Sequence, residues 1–405
     1  MENLDKRIRE DYDALLKKKS NLKKNQLSNN AIQYLYMRSF FRDQKLWAGT
    51  EAAYNFYRSQ SQKFWLQQSS YMQGMIALAL FRSGEMKTPK SILASLKENA
   101  MHNEELGMYW KENRGGYYWY QAPTEIQSLL IEAFGEIAKD MKSVNEMKTW
   151  LLKQKQTQNW ASTKATADAC YALLLGGSNW LQKEPLVTIS LGERTFKSDS
   201  GSEAGTGYFR ETIPGANVKP AMGNIHVTVG SQAHPSAGDS SGPPAWGAVY
   251  WQYFEYLDKI TPSATPLQLS KKIFLATNSR RGPVLEPVND GDELKPGDKL
   301  KVRIELRADR DMEYVHMKDM RAAGTEPVNV LSGYRWQGGL GYYESTRDAS
   351  TNFFFNWLPK GTYVFEYPLF VSNSGNFSVG VATIQCMYAP EFSSHSEGIR
   401  IRVAH

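Results

Sequence analysis

Pro185-Leu186-Val187-Thr188-Ile189-Ser190-Leu191-Gly192 is where the hydrophobic period of this chain changes. Val187, Ile189 and Leu191 alternate with Thr188, Ser190 and Gly192, the two-residue repeat of a strand with one buried face. Upstream the spacing is three and four. Leu4, Ile8, Tyr12 and Leu15 make one such stripe and Ile32, Leu35, Tyr36 and Phe40 another, so helix after helix is expected before residues 179–185, where we place a domain boundary.

Within the helical part, Tyr71-Met-Gln-Gly-Met-Ile-Ala-Leu-Ala-Leu-Phe81, Glu125-Ile-Gln-Ser-Leu-Leu-Ile-Glu-Ala-Phe134 and Thr166-Ala-Asp-Ala-Cys-Tyr-Ala-Leu-Leu-Leu175 share one design. Buried helices alternating with more polar ones at this spacing indicate stacked helical hairpins. In the third, Ala161, Ala165, Ala169, Ala172 and Gly176 form a small-residue stripe that lets a neighbouring helix come close. Ser162 or Thr163 is placed to cap its start, and Gly176-Gly177 to end it.

From Leu186 to the end, strands are expected at residues 224–229, 248–256, 272–276, 299–306, 314–318, 351–357, 362–370, 377–387 and 398–403. Turn clusters at 236–244, 289–292, 296–298, 359–361 and 372–376 separate them. Many short strands between such turns predict antiparallel β-sandwiches, and the length accommodates two. Pro262, Ser263 and Pro266 mark a short linker between them, and the Ser-, Gly- and Pro-rich stretch 233–244 is expected to be a mobile loop.

With 405 residues, 41% hydrophobic and 22% charged, the chain has enough apolar material for two or three globular domains. Neither an apolar run of membrane-spanning length nor a basic-then-apolar leader is present, so no span and no export signal of its own is expected. Basic residues exceed acidic ones by 26 to 19 before Pro185 and fall behind by 22 to 23 from it onward. The excess centres on Lys17, Lys18, Lys19, Lys23 and Lys24, beside Glu10, Asp11 and Asp13. Mixed-sign charge of this kind makes a solvated helix face, and no aromatic ring interleaves the lysines to stack on bases, so no nucleic-acid partner is expected.

The inventory for catalysis is thin. His102, His226, His234, His316, His395 and His405 make no pair at metal-ligand spacing, and no nucleophile elbow, phosphate loop or dinucleotide fingerprint occurs. Asn289-Asp-Gly-Asp292 lacks the later ligands of a calcium loop and suits a hairpin turn. No catalytic residue, metal or cofactor is expected. Cys170 and Cys386 are expected to pack as small hydrophobes in a helix and a strand respectively.

Aromatic residues cluster instead. Tyr109-Trp110 precedes Gly115-Gly-Tyr-Tyr-Trp-Tyr120, while Tyr334-Arg-Trp336 and Gly341-Tyr-Tyr343 precede Arg347-Asp348. Rings in glycine-rich loops bury a large area with few rotamers frozen, which suits a sugar, a peptide or a second domain. Contact between domains is the reading taken here, each domain's own core being the plainer one.

The run Tyr314-Val-His-Met-Lys-Asp-Met-Arg-Ala-Ala-Gly324, then Glu326-Pro-Val, Gly333-Tyr-Arg335, Gly341-Tyr-Tyr-Glu-Ser-Thr-Arg-Asp348, Leu358-Pro-Lys-Gly-Thr-Tyr363 and Tyr388-Ala-Pro-Glu-Phe392 resembles the terminal domain of bacterial alpha-2-macroglobulin-like proteins. Tyr117-Tyr-Trp-Tyr-Gln-Ala-Pro-Thr-Glu-Ile-Gln127 and Gln158-Asn-Trp-Ala-Ser-Thr-Lys-Ala-Thr-Ala-Asp168 are similar to the last helices of that family's thioester-type α/α toroid. The resemblance implies a partial toroid over residues 1–182, a CUB-like β-sandwich over 183–265 and a macroglobulin-like β-sandwich over 266–405. It further implies the C-terminal part of an envelope or periplasmic protein, not an enzyme, that entraps proteases by conformational change after a bait segment is cut.

Thioester-bearing members use Cys-x-Glu-Gln. Cys170 precedes Tyr171-Ala172-Leu173 and Cys386 precedes Met387-Tyr388-Ala389, so neither is a thioester cysteine. The motif then lies upstream of Met1 or the parent lacks it. The implied partners are proteases, bound by the whole parent, and the parent's upstream domains, with no membrane insertion of this part. Tyr117, Tyr118, Trp119 and Tyr120 on the helical side, with Tyr334, Trp336, Tyr342 and Tyr343 on the terminal domain, form the expected interdomain surface. Three other readings compete: an envelope module without trapping, a polysaccharide lyase with His102 as its helical histidine, and a prenyltransferase or terpene cyclase, which lacks its acid motif here.

Overall fold

The computed structural model describes residues 1–113, 115–116, 118, 121–175, 186–200, 208–230, 247–280 and 282–404. They fall into two compact units, residues 1–153 with 160–246, and residues 154–159 with 247–405. Helices α1 (Glu2–Lys17), α2 (Asn29–Arg38), α3 (Glu51–Phe64), α4 (Ser70–Arg82) and α5 (Lys87–Glu98) come first. A ribbon of β1 (Met101–Asn103) and β2 (Gly107–Tyr109) leads to α6 (Pro123–Ala133), α7 (Met141–Thr157) and α8 (Thr163–Leu174).

Burial explains the layering of these helices. α4 is apolar nearly all round, and Met72, Ile76, Ala77, Leu78 and Leu80 are buried. It packs on α2 and α6, and α6 packs on α8, so the three similar segments lie side by side, but α8 buries only Ala165, Ala169 and Ala172 and leaves Tyr171 and Leu174 exposed. α5 is amphipathic and buries only Pro89, Ile92, Leu93 and Leu96, as an outer helix does. The first part of the chain is thus a layered array of packed helices.

Local signals act as expected at several points. Ser162 accepts from the Ala165 amide at 3.0 Å to cap α8, and Ala165, Ala169 and Ala172 are buried. Gly176-Gly177 lies outside the described residues. Cys170 is exposed rather than in the core, because one residue on from Ala169 is about 100° around the helix from the buried stripe. Of the first stripe Ile8 is buried and Leu4 exposed, while Phe40 is exposed because α2 stops at Arg38. The five lysines are all exposed. At Gly107, φ is +74° and a Cβ would lie 2.1 Å from the Glu146 carbonyl oxygen, so only glycine lets the ribbon lie against α7.

Next come β3 (Leu186–Leu191), β4 (Arg194–Lys197) and β5 (Ile225–Gly230), an antiparallel sheet in the order β4-β3-β5. β3 is half-buried throughout, so its two faces do not separate as the alternation suggested. The strand expected at 248–256 is not formed. Residues 247–256 form no strand among the described residues, and Tyr250, Trp251, Tyr253, Phe254 and Tyr256 are exposed. The expected mobile loop at 233–244 lies outside the described residues.

The second unit contains β6 (Leu267–Ser279), β7 (Gly282–Pro287), β8 (Glu293–Leu294), β9 (Lys299–Ala308), β10 (Met312–Met320), β11 (Thr325–Pro327), β12 (Gly333–Gln337) and β13 (Leu340–Arg347). It continues with β14 (Ser350–Leu358), β15 (Gly361–Val371), β16 (Gly375–Ser378), β17 (Ala382–Cys386), β18 (Ser393–His395) and β19 (Arg400–Val403). A six-stranded sheet, β12-β13-β14-β10-β17-β18, faces a five-stranded one, β11-β15-β9-β6-β7, and β16-β19-β8 forms a small third sheet. Leu300, Val302, Ile304, Leu306 and Ala308 alternate inward from β9 to meet Val315, Met317, Phe353 and Phe355 in one buried cluster. This is an antiparallel sandwich with a β8–β19 parallel pair at its margin.

Two expectations change in detail. The strand expected over 377–387 breaks into β16 and β17, in different sheets, where Gly380 adopts φ +74°. Residues 289–292 do turn, with the Asn289 amide donating to Asp292 Oδ2 at 2.7 Å, but the strands they join lie in different sheets and make no hairpin.

Candidate functional site

Among the described residues β12 is an edge strand of the six-stranded sheet and pairs only with β13. Gln337 pairs with Leu340 across Gly338-Gly339, whose φ values of +60° and +81° are those of a two-residue turn that follows the twist of the strands. Alternation then sorts the rings. Tyr334 and Tyr343 stand opposite one another on the outer face with their rings edge-to-face at 5.2 Å. Trp336 lies across Gly341, where a Cβ would come within 3.1 Å of the indole. Tyr334 is 75% exposed, Trp336 80% and Tyr343 37%.

Tyr342 points the other way. It is only 5% exposed and sits among Phe353, Phe355 and Phe365 at 5.8, 5.7 and 5.3 Å, so it is a core residue and leaves the surface set. Of the helical loop, Tyr118 is exposed, and Tyr117, Trp119 and Tyr120 lie outside the described residues. Trp110 is buried and donates to the Leu96 carbonyl at 2.9 Å, while Tyr109 stacks on Trp150 at 6.3 Å, so this neighbouring aromatic pair serves the helical core.

Beneath the hairpin runs a polar groove of about 240 Å³ that the sequence reading missed. Arg335 and Glu344 face each other at 3.9 Å in it, and burial pushes the Glu344 carboxyl above the usual range against the pull of Arg335. Gln337 donates to the Val364 carbonyl at 2.7 Å, tying the hairpin to β15. At the far wall the Arg303 guanidinium, then Lys301, holds the Glu366 carboxyl below the usual range. The available signal was Glu344, two residues from Tyr342 and so on the same face of the strand.

Of the histidines, only His316 and His395 come together, lining one groove with Ser263, Thr383 and Gln385 among the described residues. His102 is exposed with Nδ1 2.9 Å from Glu146, His316 stacks on Phe354 at 4.6 Å, and His234 and His405 lie outside the described residues. Among the described residues no group of three or more His, Cys, Asp or Glu is placed to hold a metal, and no helix is long and apolar enough to cross a membrane. Cys386 is buried, its Sγ 3.5 Å from the Glu313 carbonyl, and burial pushes its thiol up. Tyr314 takes φ +53°, rare for a bulky side chain, and sets its exposed ring against Tyr388 at 5.3 Å. Arg321 rather than Arg347 anchors the next turn, donating to the Asp348 and Ser350 carbonyls at 3.1 and 3.2 Å.

Residues 267–391 match the family model of the bacterial alpha-2-macroglobulin MG10 domain. Solved structures similar to the chain include a mutant of Salmonella alpha-2-macroglobulin, at 14% identity and a TM-score of 0.30, covering 93% of this chain and 24% of that one. Trypsin-activated alpha-2-macroglobulin from Escherichia coli is 13% identical with a TM-score of 0.37, covering 92% and 25%. The native Escherichia coli protein from domain MG7 to the C-terminus is 12% identical with a TM-score of 0.28, covering 92% and 59%. The circularly permutated Ras protein 2 of Dictyostelium discoideum is 25% identical over 105 residues, 26% of this chain and 3% of that protein. This chain therefore spans about a quarter of the full-length bacterial proteins it is similar to. The match covers the main sandwich of the second unit, which is therefore an MG10 domain of the bacterial alpha-2-macroglobulin type.

Proposed function

We propose that the chain is the C-terminal part of a periplasmic or cell-envelope inhibitor that entraps proteases by conformational change, in defence of the cell. In the uncut parent, the outer face of the β12–β13 hairpin rests on another domain, and cleavage of the parent releases it. One observation carries this reading. Tyr334, Trp336 and Tyr343 present a contiguous aromatic surface on a short, tightly turned edge hairpin of the MG10 domain, while their neighbour Tyr342 is spent on the core. Exposed Tyr and Trp on a rigid element suit docking, since they bury large area with little entropy lost.

The test mixes the full-length parent with a protease and follows cleavage of a small chromogenic peptide and of a large protein. Entrapment leaves the first and abolishes the second. Equal loss, or equal retention, on both substrates refutes it and favours an envelope module without trapping. Tyr334→Ala with Trp336→Ala in the uncut parent is expected to shift its native-gel mobility toward that of the protease-treated form.

A further inference from the structure

β6 and β10 lie in opposite sheets of the MG10 sandwich, and each sends one charged side chain into the layer between them. The Lys271 and Asp319 side chains are 4% and 0% exposed, with Nζ 2.7 Å from Oδ1. Oδ1 is buried with the Lys271 ammonium as its ion-pair partner and takes part in no hydrogen bond. Nζ donates to the Met320 carbonyl instead, at 2.6 Å. Asp319 Oδ2 accepts from the hydroxyl of Tyr367 on β15. Burial and the facing carboxylate push that phenol far above its ordinary range, so it keeps its proton. The nitrogen thus lies 2.7 Å from one oxygen of a buried carboxyl whose other oxygen is held by the Tyr367 hydroxyl.

We propose that Lys271 and Asp319 become joined by an intramolecular amide bond, Nζ to Cγ, which staples the two sheets together. A proton passes from the ammonium to the carboxylate, cancelling two charges that are costly to bury. The amine then attacks Cγ while the Tyr367 hydroxyl polarises the Cγ–Oδ2 bond. The Nζ–Cγ bond forms, the Cγ–Oδ1 bond breaks, and Oδ1 departs as water with two protons that came from the nitrogen. Nothing is oxidised or reduced, and no co-reactant is required. The product leaves no polar group stranded: Oδ2 still accepts from Tyr367, the amide N–H donates to Met320, and the orphaned oxygen is gone. The bond is independent of protease entrapment.

Intact-mass measurement of the purified, denatured chain decides the matter. The expected mass is one water below that of the sequence, and digestion is expected to release a branched peptide joining the β6 and β10 segments. Lys271→Arg keeps the charge but has no primary amine, and is expected to restore the full mass. Tyr367→Phe is expected to lower the linked fraction. A parent chain at full mass, or a water loss that maps to any other residues, overturns the proposal whether or not the variants fold.

Discussion

Gln127 is wholly buried on α6, and its Nε2 donates to the carbonyls of Met108 on β2 at 2.8 Å and Met147 on α7 at 3.2 Å. Gln127→Leu preserves the volume but removes both bonds, so it should cost about 2 kcal/mol, read as a lower urea midpoint for the helical signal. Glu344 makes a prediction about pH. Its unfolded carboxyl deprotonates near 4.5 and its folded one at higher pH, because burial disfavours the charge. Between those values the folded state holds more protons, so this group's stabilising share is present below the lower value and lost as pH rises through the upper. Glu344→Gln should therefore flatten that fall and unfold later than the parent at neutral pH; equal melting curves across the range would contradict it. Neither role was visible in sequence, since a buried glutamine or glutamate resembles a solvated one until its neighbours are known. Ser162 was legible because a cap acts on its own next turn.

Elements with a clear local signal were found, the strands β9, β10, β14 and β15 among them, while segments whose pattern is weaker or whose partner is missing were misjudged. The inner helices α4 and α6 carry their burial in their own spacing, and α8 carries its contact face in its alanine stripe. The 248–256 segment has β-rich composition, but a ladder also needs a neighbouring strand, which composition does not report. β12 and β13 were taken for loops because glycines flank short aromatic runs, although Gly338-Gly339 marks a turn. At Gly338, φ +60° disfavours any Cβ, so Gly338→Ala should destabilise the hairpin by about 1 kcal/mol, whereas Gly338→Asn should be tolerated. Differential melting followed by the fluorescence of Trp336 separates the two. If Ala and Asn behave alike, the turn does not set the register of the exposed rings.

At the scale of the whole molecule, the change of period at Pro185 announced the order of helices then strands, while the split of the strands among four sheets followed from pairings across long stretches of chain. The buried residues divide accordingly. Ile76, Leu130, Phe134 and Met147 belong to a helical cluster, Ile304, Phe353 and Phe365 to the sandwich cluster, and no buried residue is common to both. Each cluster is large enough to drive its own cooperative transition, and cores that share no side chain unfold as separate steps unless an interface couples them. Urea titration followed by helical circular dichroism and by the amide bands of β-structure should therefore give two midpoints. A Lys271–Asp319 link would act on one of them alone: Lys271→Arg should lower the sandwich midpoint and leave the helical one in place. Coincident midpoints that move together would mean instead that the two units fold as one, and the hairpin's aromatic face would then have to be treated as part of a permanent core rather than a surface released on cleavage.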